Sequence, residues 1–491
     1  MKPATTQPSL PSAPGAQRVF SPRGALTSLS LSTLLASLGA SVATVGLPTL
    51  AHAFEASFQQ VQWVVLAYLL AITTLIVSLG QLGDLLGRSR LLLAGILLFT
   101  LASALCGIAP SLWLLITGRA LQGLGAAIMM TLTLALVAET VGKEKTGSAM
   151  GLLGTLSAVG TALGPSLGGA LISGFGWQAL FLINVPLGLL TFVLAWHSLP
   201  AQPPMRVVGR PRFDALGTLL LAATLAAYAL ATTLGRGHFG WLNMALLLTA
   251  ILGGSLFVLA QRRVAAPLIP LTLLGDRLLV GGLVTSALVA TVMMATLLVG
   301  PFYLSVALGL PAALVGLALA AGPSVAALTG VPAGRLVDRF GVRPVRLVGL
   351  LVMIVGCLML SLMSPTLGVG GYVGAIAVTT LGYALFQTAN NTAVMADVPA
   401  GKRGVFSGLL NLSRNLGFLT GASALGAVFA LTVPTNGIAR ATPEAVTNGL
   451  HLTFAVATSL LLLAWVVVLK CREPEPLAAR DDVRGPSKLA P

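Results

Sequence analysis

The sequence predicts an all-α membrane protein, and three observations carry that expectation. Charged residues make up 8% of the 491 and the hydrophobic class 56%, with a mean hydropathy of +0.95. A soluble chain of this size needs roughly a quarter of its residues charged to cover its surface, so lipid must be part of the solvent. The apolar stretches are uninterrupted runs of about twenty residues, not ten-residue alternations; this excludes an outer-membrane barrel and points to helices, which satisfy their backbone groups internally. Finally, the basic residues fall in alternate loops.

Taken in order, residues 1–24 are rich in Pro, Ser and Ala and read as a disordered tail. A cleaved signal peptide is the weaker reading, because the charge-to-apolar distance is long and many spans follow. Fourteen apolar runs come next, near 25–47, 60–81, 91–109, 112–138, 147–173, 177–198, 215–234, 241–261, 278–302, 312–334, 345–363, 371–396, 404–431 and 450–470. The longest connection, about 199–214, contains PAQPPMRVVGRPRFD. No stretch reads as a soluble domain. Nor is there a nucleotide-binding loop, metal cluster or nucleophile triad, so ATP-driven pumping, enzymatic chemistry, a cofactor or a metal has no residues to carry it.

The net charge of +15 invites a nucleic-acid reading, but its distribution rejects it. One set of loops holds Arg18 and Arg23; Arg88 and Arg90; Lys143 and Lys145; Arg206, Arg210 and Arg212; Arg262, Arg263 and Arg277; Arg335, Arg339, Arg343 and Arg346; and Lys402 and Arg403. The opposite loops hold Arg236 and Arg440. By the positive-inside rule both termini are cytoplasmic, as an even number of spans also requires. Cys106 and Cys357 lie within spans and Cys471 follows the last one. Their spacing suggests neither metal nor disulfide, and they read as packing residues.

An internal repeat organises the spans. GQLGDLLGRSR (Gly80–Arg90) and GRLVDRFGVRP (Gly334–Pro344) share the pattern G-x-L-x-D-x-x-G followed by basic residues. Lys145–Leu171 matches Lys402–Val428 without a gap, with Gly147, Gly151, Gly160, Gly164 and Gly169 opposite Gly404, Gly408, Gly417, Gly421 and Gly426. Both offsets are about 255 residues. Parallel halves related in this way are a transporter architecture with a site between them. The chain then divides into a cytoplasmic N-terminal tail (1–24), a six-helix half (25–198), a linker with two additional helices (199–265), a second six-helix half (266–470) and a C-terminal tail (471–491).

In these stretches, and in QWVVLAYLL (Gln62–Leu70), LITGRALQGLGAA (Leu115–Ala127), GTALGPSLGG (Gly160–Gly169), WQALFLINVPLG (Trp177–Gly188), FDALG (Phe213–Gly217) and QTANNTAVMA (Gln387–Ala396), the sequence resembles the fourteen-span drug:proton antiporter branch of the major facilitator superfamily. The resemblance covers essentially the whole chain after residue 25. It implies a multi-pass exporter of the bacterial cytoplasmic membrane, monomeric by family habit, which exchanges a drug, antibiotic or lipophilic metabolite for protons by alternating access. It also implies that Gly80, Asp84, Arg88, Asp338 and Arg339 form a cytoplasmic conformational latch; a solvated turn is the plainer reading of the same residues. Gly80 and Gly87 would allow the turn, and Leu85 replaces the family's usual basic residue. Gly160, Gly164, Pro165, Gly168 and Gly169 match the antiporter motif, which the family associates with export; a helix-packing seam is the alternative.

Arg119 and Arg414 are the basic residues read as lying well inside spans. A central Arg costs about 3 kcal/mol to insert, so it faces a cavity or a partner. The resemblance places Arg119 in proton transfer, while locking of helices through carbonyl groups is the alternative for both. Gln387, Asn390 and Asn391 supply polar groups for a cavity wall or for interhelical bonds, and Ser41 and Tyr68 complete the cavity candidates. Trp63, Tyr68, Phe302 and Tyr303 offer rings for planar substrates, an interfacial belt position being the plainer reading for Trp63.

Proton coupling needs a group that gains and loses a proton, and a buried carboxylate serves because desolvation favours its neutral form. Many members of the branch carry L-D-x-T in the first span; here the Asp position is Gly39 and the Thr position Ser41. No other span holds a carboxylate well inside it, and Glu139 and Asp397 at cytoplasmic span ends are the remaining coupling candidates beside Arg119. The expected cavity is neutral to positive, suited to neutral, zwitterionic or anionic lipophilic substrates. A solute importer or symporter, and a transport-inactive scaffold or sensor, are the competing readings.

Overall fold

Several helices in this chain start where the sequence supplies a cap or a turn glycine. A computed structural model describes residues 22–76, 78–140, 146–199, 214–234, 240–264, 275–395, 398, 403–433 and 441–470. Among these residues the secondary structure is helical, with no strand. The first part of the chain forms α1 (Pro22–Val45), α2 (Leu47–Ala53), α3 (Phe58–Leu75), α4 (Ser78–Leu86), α5 (Arg88–Gly107), α6 (Leu112–Thr140), α7 (Thr146–Phe175), α8 (Ala179–Leu182) and α9 (Asn184–Ser198). A hairpin of α10 (Ala215–Thr233) and α11 (Trp241–Gln261) follows. The remainder forms α12 (Arg277–Phe302), α13 (Ala312–Phe340), α14 (Val342–Ser361), α15 (Gly368–Met395), α16 (Arg403–Thr420), α17 (Gly426–Ala430) and α18 (Pro443–Lys470), with π-helical turns at Tyr303–Ala307 and Gly421–Leu425. Twelve stretches among the described residues are long and apolar enough to cross a membrane. The expected spans 147–173 and 404–431 fall on α7 and on α16 with α17, whose side chains are described only in part.

The caps are legible in the residues. Ser57 and Gln60 form a reciprocal capping box at the start of α3, at 2.9 and 3.2 Å. Asp276 accepts from the Leu278 and Leu279 backbone N–H groups, and Asp214 from that of Gly217. Asp214 also accepts from Gln261 Nε2 at 2.6 Å, which ties the two ends of the α10–α11 hairpin together. The final glycine of each G-x-L-x-D-x-x-G copy makes the turn into the next helix: Gly87 has φ 90° and Gly341 φ 83°, a region that side chains rarely adopt. Gly80, expected to share in the turn, lies within α4 instead. A separate helix, α4, therefore stands between α3 and the turn, where one continuous span was expected.

The internal repeat is also a repeat of packing. In the first part α1 packs on α7 and α9, α5 on α6 and α9, and α3 on α6. In the last part α12 packs on α16 and α18, α14 on α15 and α18, and α13 on α15. Between the two parts, α7 lies along α13, and α3 meets α16 and the Gly421–Leu425 turn. The α10–α11 pair leans on α3 and on that same turn, with Ser78 and Thr218 hydroxyls 2.6 Å apart. Arg23, Arg88, Arg90, Arg262, Arg263, Arg277, Arg339, Arg343 and Lys470 all lie where helices end on one side of the bundle, the basic end.

The opposite, far end of the bundle is sealed. Phe58 of α3 packs against Phe302 of α12 and Phe429 of α17, with ring centroids 5.1 and 4.9 Å away. Gln62, buried at 1% exposure in α3, donates from Nε2 to the Ala422 carbonyl of the π-helical turn. Such turns release carbonyls from the helical ladder, and here the neighbouring half uses one.

Candidate functional site

The small residues of α7 decide what it touches. A Cβ on Gly160 would lie 2.7 Å from the Leu34 carbonyl oxygen, and one on Gly164 2.9 Å from the Val42 nitrogen, so these glycines let α7 lie against the α1 backbone. Gly168 faces Val45 on the same side. Gly169 and the Pro165 carbonyl instead face Gly316 of α13, where a Cβ on Gly169 would meet the Gly316 Cα at 3.1 Å. The repeat does the same on the other side. Gly417 and Gly421 rest on α12 at Ala290 and Met294, and Gly426 meets Gln62 of α3. One stretch thus serves both as an intra-half contact and as the seam between halves, in both copies.

Arg119 of α6 is wholly buried. Its Nε donates to the Val64 carbonyl at 2.9 Å and its Nη1 to the Gly39 carbonyl at 3.0 Å and to Gln122 Oε1. Gln122 in turn donates to Ser103 Oγ at 2.7 Å. The guanidinium lies 4.2 Å from the Tyr68 ring centroid, and the Tyr68 hydroxyl donates to the Ala36 carbonyl at 3.0 Å. Nη2 is shielded and has no hydrogen-bond partner among the described residues. Gly39, where the resembled branch carries Asp, offers Arg119 a carbonyl; Phe99 fills the space a side chain would take, 2.6 Å from an added Cβ.

Arg414 of α16 is half-buried and bonded differently. With the Gln387 amide oxygen turned toward it, the orientation that satisfies both groups, Gln387 accepts from Arg414 Nη2 and, at 3.1 Å, from Nε. Asn390 is wholly buried and spans to α12: Nδ2 donates to the Gly282 carbonyl at 3.2 Å, and Thr285 donates to Oδ1 at 3.4 Å. Asn391, half-buried, has a shielded Oδ1 with no partner among the described residues. Ser41 lies in the α1–α7 contact, donating toward the Ser37 and Gly160 carbonyls at 3.1 and 3.3 Å.

Of the expected site residues, Arg414 and Gln387 come together, as do Arg119 and Tyr68. Ser41 and Asn390 are committed to helix interfaces, and Phe302 and Tyr303 are buried against Phe58 and Tyr372 rather than open to a ligand. Asp338 and Arg339 are exposed at the basic end, with Arg339 over the Phe340 ring at 5.2 Å. Asp397 and the side chains of Asp84 and Glu139 lie outside the described residues. Arg346, read from sequence as a loop charge, is 1% exposed inside α14. Two amides in matched stretches escaped notice as partners, Gln62 and Gln122, while Asn390 takes the interhelical alternative stated for it. Gln122, the single amide of LITGRALQGLGAA, carried a signal, whereas Gln62, the third glutamine of FQQVQ, carried none.

Known proteins agree with this architecture. A family model described as Major Facilitator Superfamily matches residues 29–422. Multidrug resistance protein Stp of Mycobacterium tuberculosis is 33% identical over 410 residues, covering 82% of this chain and 75% of that protein. Riboflavin transporter RibZ of Clostridioides difficile is 27% identical over 442 residues, 90% of this chain and 95% of that protein. The crystal structure of a bacterial homolog to the human lysosomal transporter Spinster, inward-facing and unoccupied, superposes with a TM-score of 0.67 over 95% of this chain and 99% of that one. At 16% identity that likeness concerns the fold. The far-end contacts, the repeated packing and these matches agree: the chain belongs to the Major Facilitator Superfamily and is a membrane transporter of small molecules.

Proposed function

We propose that this transporter exports a lipophilic drug, antibiotic or metabolite from the bacterial cytoplasm by alternating access, coupled to proton antiport. Both termini then lie in the cytoplasm, so the basic end is cytoplasmic and the sealed far end faces outward. Residues 25–198 and 266–470 are the two rocking halves, 199–265 adds the linker and the extra pair, and the protein acts as a monomer. The observation that carries the reading is the double use of α7, where Gly160 and Gly164 hold α1 while Gly169 meets α13. A seam in which backbone meets backbone at Gly169 and Gly316 supports repeated opening. The resistance protein among the relatives, 33% identical, supports the outward direction.

Arg119 is the coupling candidate on which the geometry has most to say, with Glu139 and Asp397 as carboxylates at the cytoplasmic span ends. Arg414, Gln387 and Asn391 are the substrate-facing candidates, suited to neutral, zwitterionic or anionic compounds. Asp84, Arg88 and Asp338 serve the cytoplasmic latch in the outward-facing state. The relative named as a riboflavin transporter favours a second reading, in which the solute moved is a riboflavin-like compound.

Dye accumulation in an efflux-deficient bacterial host tests the proposal. Cells expressing the wild type should accumulate severalfold less of a neutral lipophilic dye such as Nile red than cells carrying an empty vector. Arg119→Ala should restore accumulation at equal membrane expression. Raised accumulation would establish import instead, and unchanged accumulation across lipophilic compounds would leave the scaffold reading.

A further inference from the structure

Arg414 follows Arg403, the start of α16, by roughly 16 Å of helix, which is close to the middle of a hydrocarbon core. On α16, Ser413 donates to the Leu283 carbonyl of α12 at 2.5 Å, and Gly417 rests on the same helix at Ala290. Arg414, one residue on, is turned about 100° from that contact. It reaches Gln387 of α15, a helix with which α16 otherwise packs little. On α15, Gly382 and Phe386 pack on α14 and Asn390 bonds to α12. Gln387 lies on the flank of Asn390 away from α14. The Arg414–Gln387 bond therefore bridges the inner face of the second half. A partly exposed guanidinium at this depth belongs on such a face, because exposure to lipid is costly.

The bond uses one edge of the guanidinium, Nε and Nη2, and its acceptor is a neutral amide. The other edge, Nη1 with the second Nη2 hydrogen, is bonded to nothing among the described residues. The nearest carboxylate in sequence, Asp397, is ten residues beyond Gln387 and lies outside the described residues. Arg119 is not an equivalent docking point, being wholly buried beneath Tyr68.

We infer that Arg414, held in place by Gln387, docks the carboxylate of an amphipathic anionic substrate through its open edge. The inference deepens the export reading and rests on it for direction. The bound carboxylate supplies the counter-charge that the spans lack, in the two-bond geometry that guanidinium and carboxylate share. It also gives the vacant Asp position at Gly39 a consequence. A substrate that carries its own negative charge out of the cell is driven by an inside-negative potential, by about fiftyfold per 100 mV, without a carboxylate on the protein.

The test is equilibrium binding to the full-length protein in lipid nanodiscs. The probes are 1-pyrenebutyrate, its uncharged amide and the matching trimethylammonium cation, each corrected against empty nanodiscs. The wild type should prefer the carboxylate to the amide by about tenfold, the size of one charge-assisted pair. Arg414→Gln should abolish that preference and Arg414→Lys retain part of it, since lysine keeps the charge and loses the fork. Equal affinity of the wild type for carboxylate and amide, tighter binding of the cation, or a preference that survives Arg414→Gln would overturn the inference. Equal wild-type affinities overturn the inference even where a variant folds poorly, and Arg414→Lys gives a second variant that assigns the preference to this position. Carboxylate preference without vectorial transport leaves the docking site standing and removes the export reading; export of amide and cation without carboxylate preference does the reverse.

Discussion

Around Arg119 the charge is held by dipoles: the carbonyls of Gly39 and Val64, the Gln122 amide and the face of Tyr68. This arrangement explains why a glycine stands at the position of the family's Asp. An added Cβ at Gly39 falls 2.6 Å from Phe99 Cζ, a ring that is itself wholly buried. Gly39→Ala should therefore destabilise the protein by about 1–3 kcal/mol, the usual cost of overpacking. Phe99→Leu in the same chain should recover part of that loss, because the two positions share one space. Thermal unfolding in detergent of the single and double variants measures both effects, and strictly additive losses would show that Phe99 is not what excludes a side chain at Gly39.

At the scale of elements, the far-end seam depends on backbone meeting backbone. A Cβ on Gly169 would meet Gly316 Cα at 3.1 Å and the Ala312 carbonyl closer still, and backbone cannot yield as a side chain can. Gly169→Val should pry α7 from α13 and shift the population toward a far end that is open. Val45→Cys reports on this, since Val45 is 2% exposed beneath a cleft of about 230 Å³ that Thr49, His52 and Ser305 also line. With Cys106, Cys357 and Cys471 replaced by serine, Val45→Cys should react with a membrane-impermeant maleimide at least about tenfold faster when Gly169→Val is added, as a shift of some 1.4 kcal/mol implies. Unchanged reactivity would mean that the seam is not what closes the far end. The seam was partly legible in the sequence, because glycine spacing is a local quantity and the repeat aligns Gly160, Gly164 and Gly169 with Gly417, Gly421 and Gly426. What Gln62 and Arg346 do was not legible. Their environments are built by helices distant in sequence, and nothing local distinguishes a buried amide or guanidinium from one at a span end.

For the whole molecule, the reading from sequence and the structure agree on an all-helical bundle with duplicated packing, since span length, charge alternation and repeat offset all survive folding. The candidate site was legible as a set of polar residues in apolar runs. How it is divided was not: Ser41 and Asn390 went to helix interfaces, while Arg414 kept an open edge. A bundle whose parts meet at its far end, with charged residues gathered at its basic end, is the arrangement that the proposed loading from the cytoplasm requires. The most direct test of that central claim is energised transport in everted membrane vesicles, where the cytoplasmic face is outermost. Vesicles containing the protein should accumulate Nile red or 1-pyrenebutyrate above vesicles lacking it when respiration is started, and lose the excess when an uncoupler collapses the gradient. Accumulation confined to right-side-out vesicles, or none beyond the protein-free control in either orientation, would contradict the account.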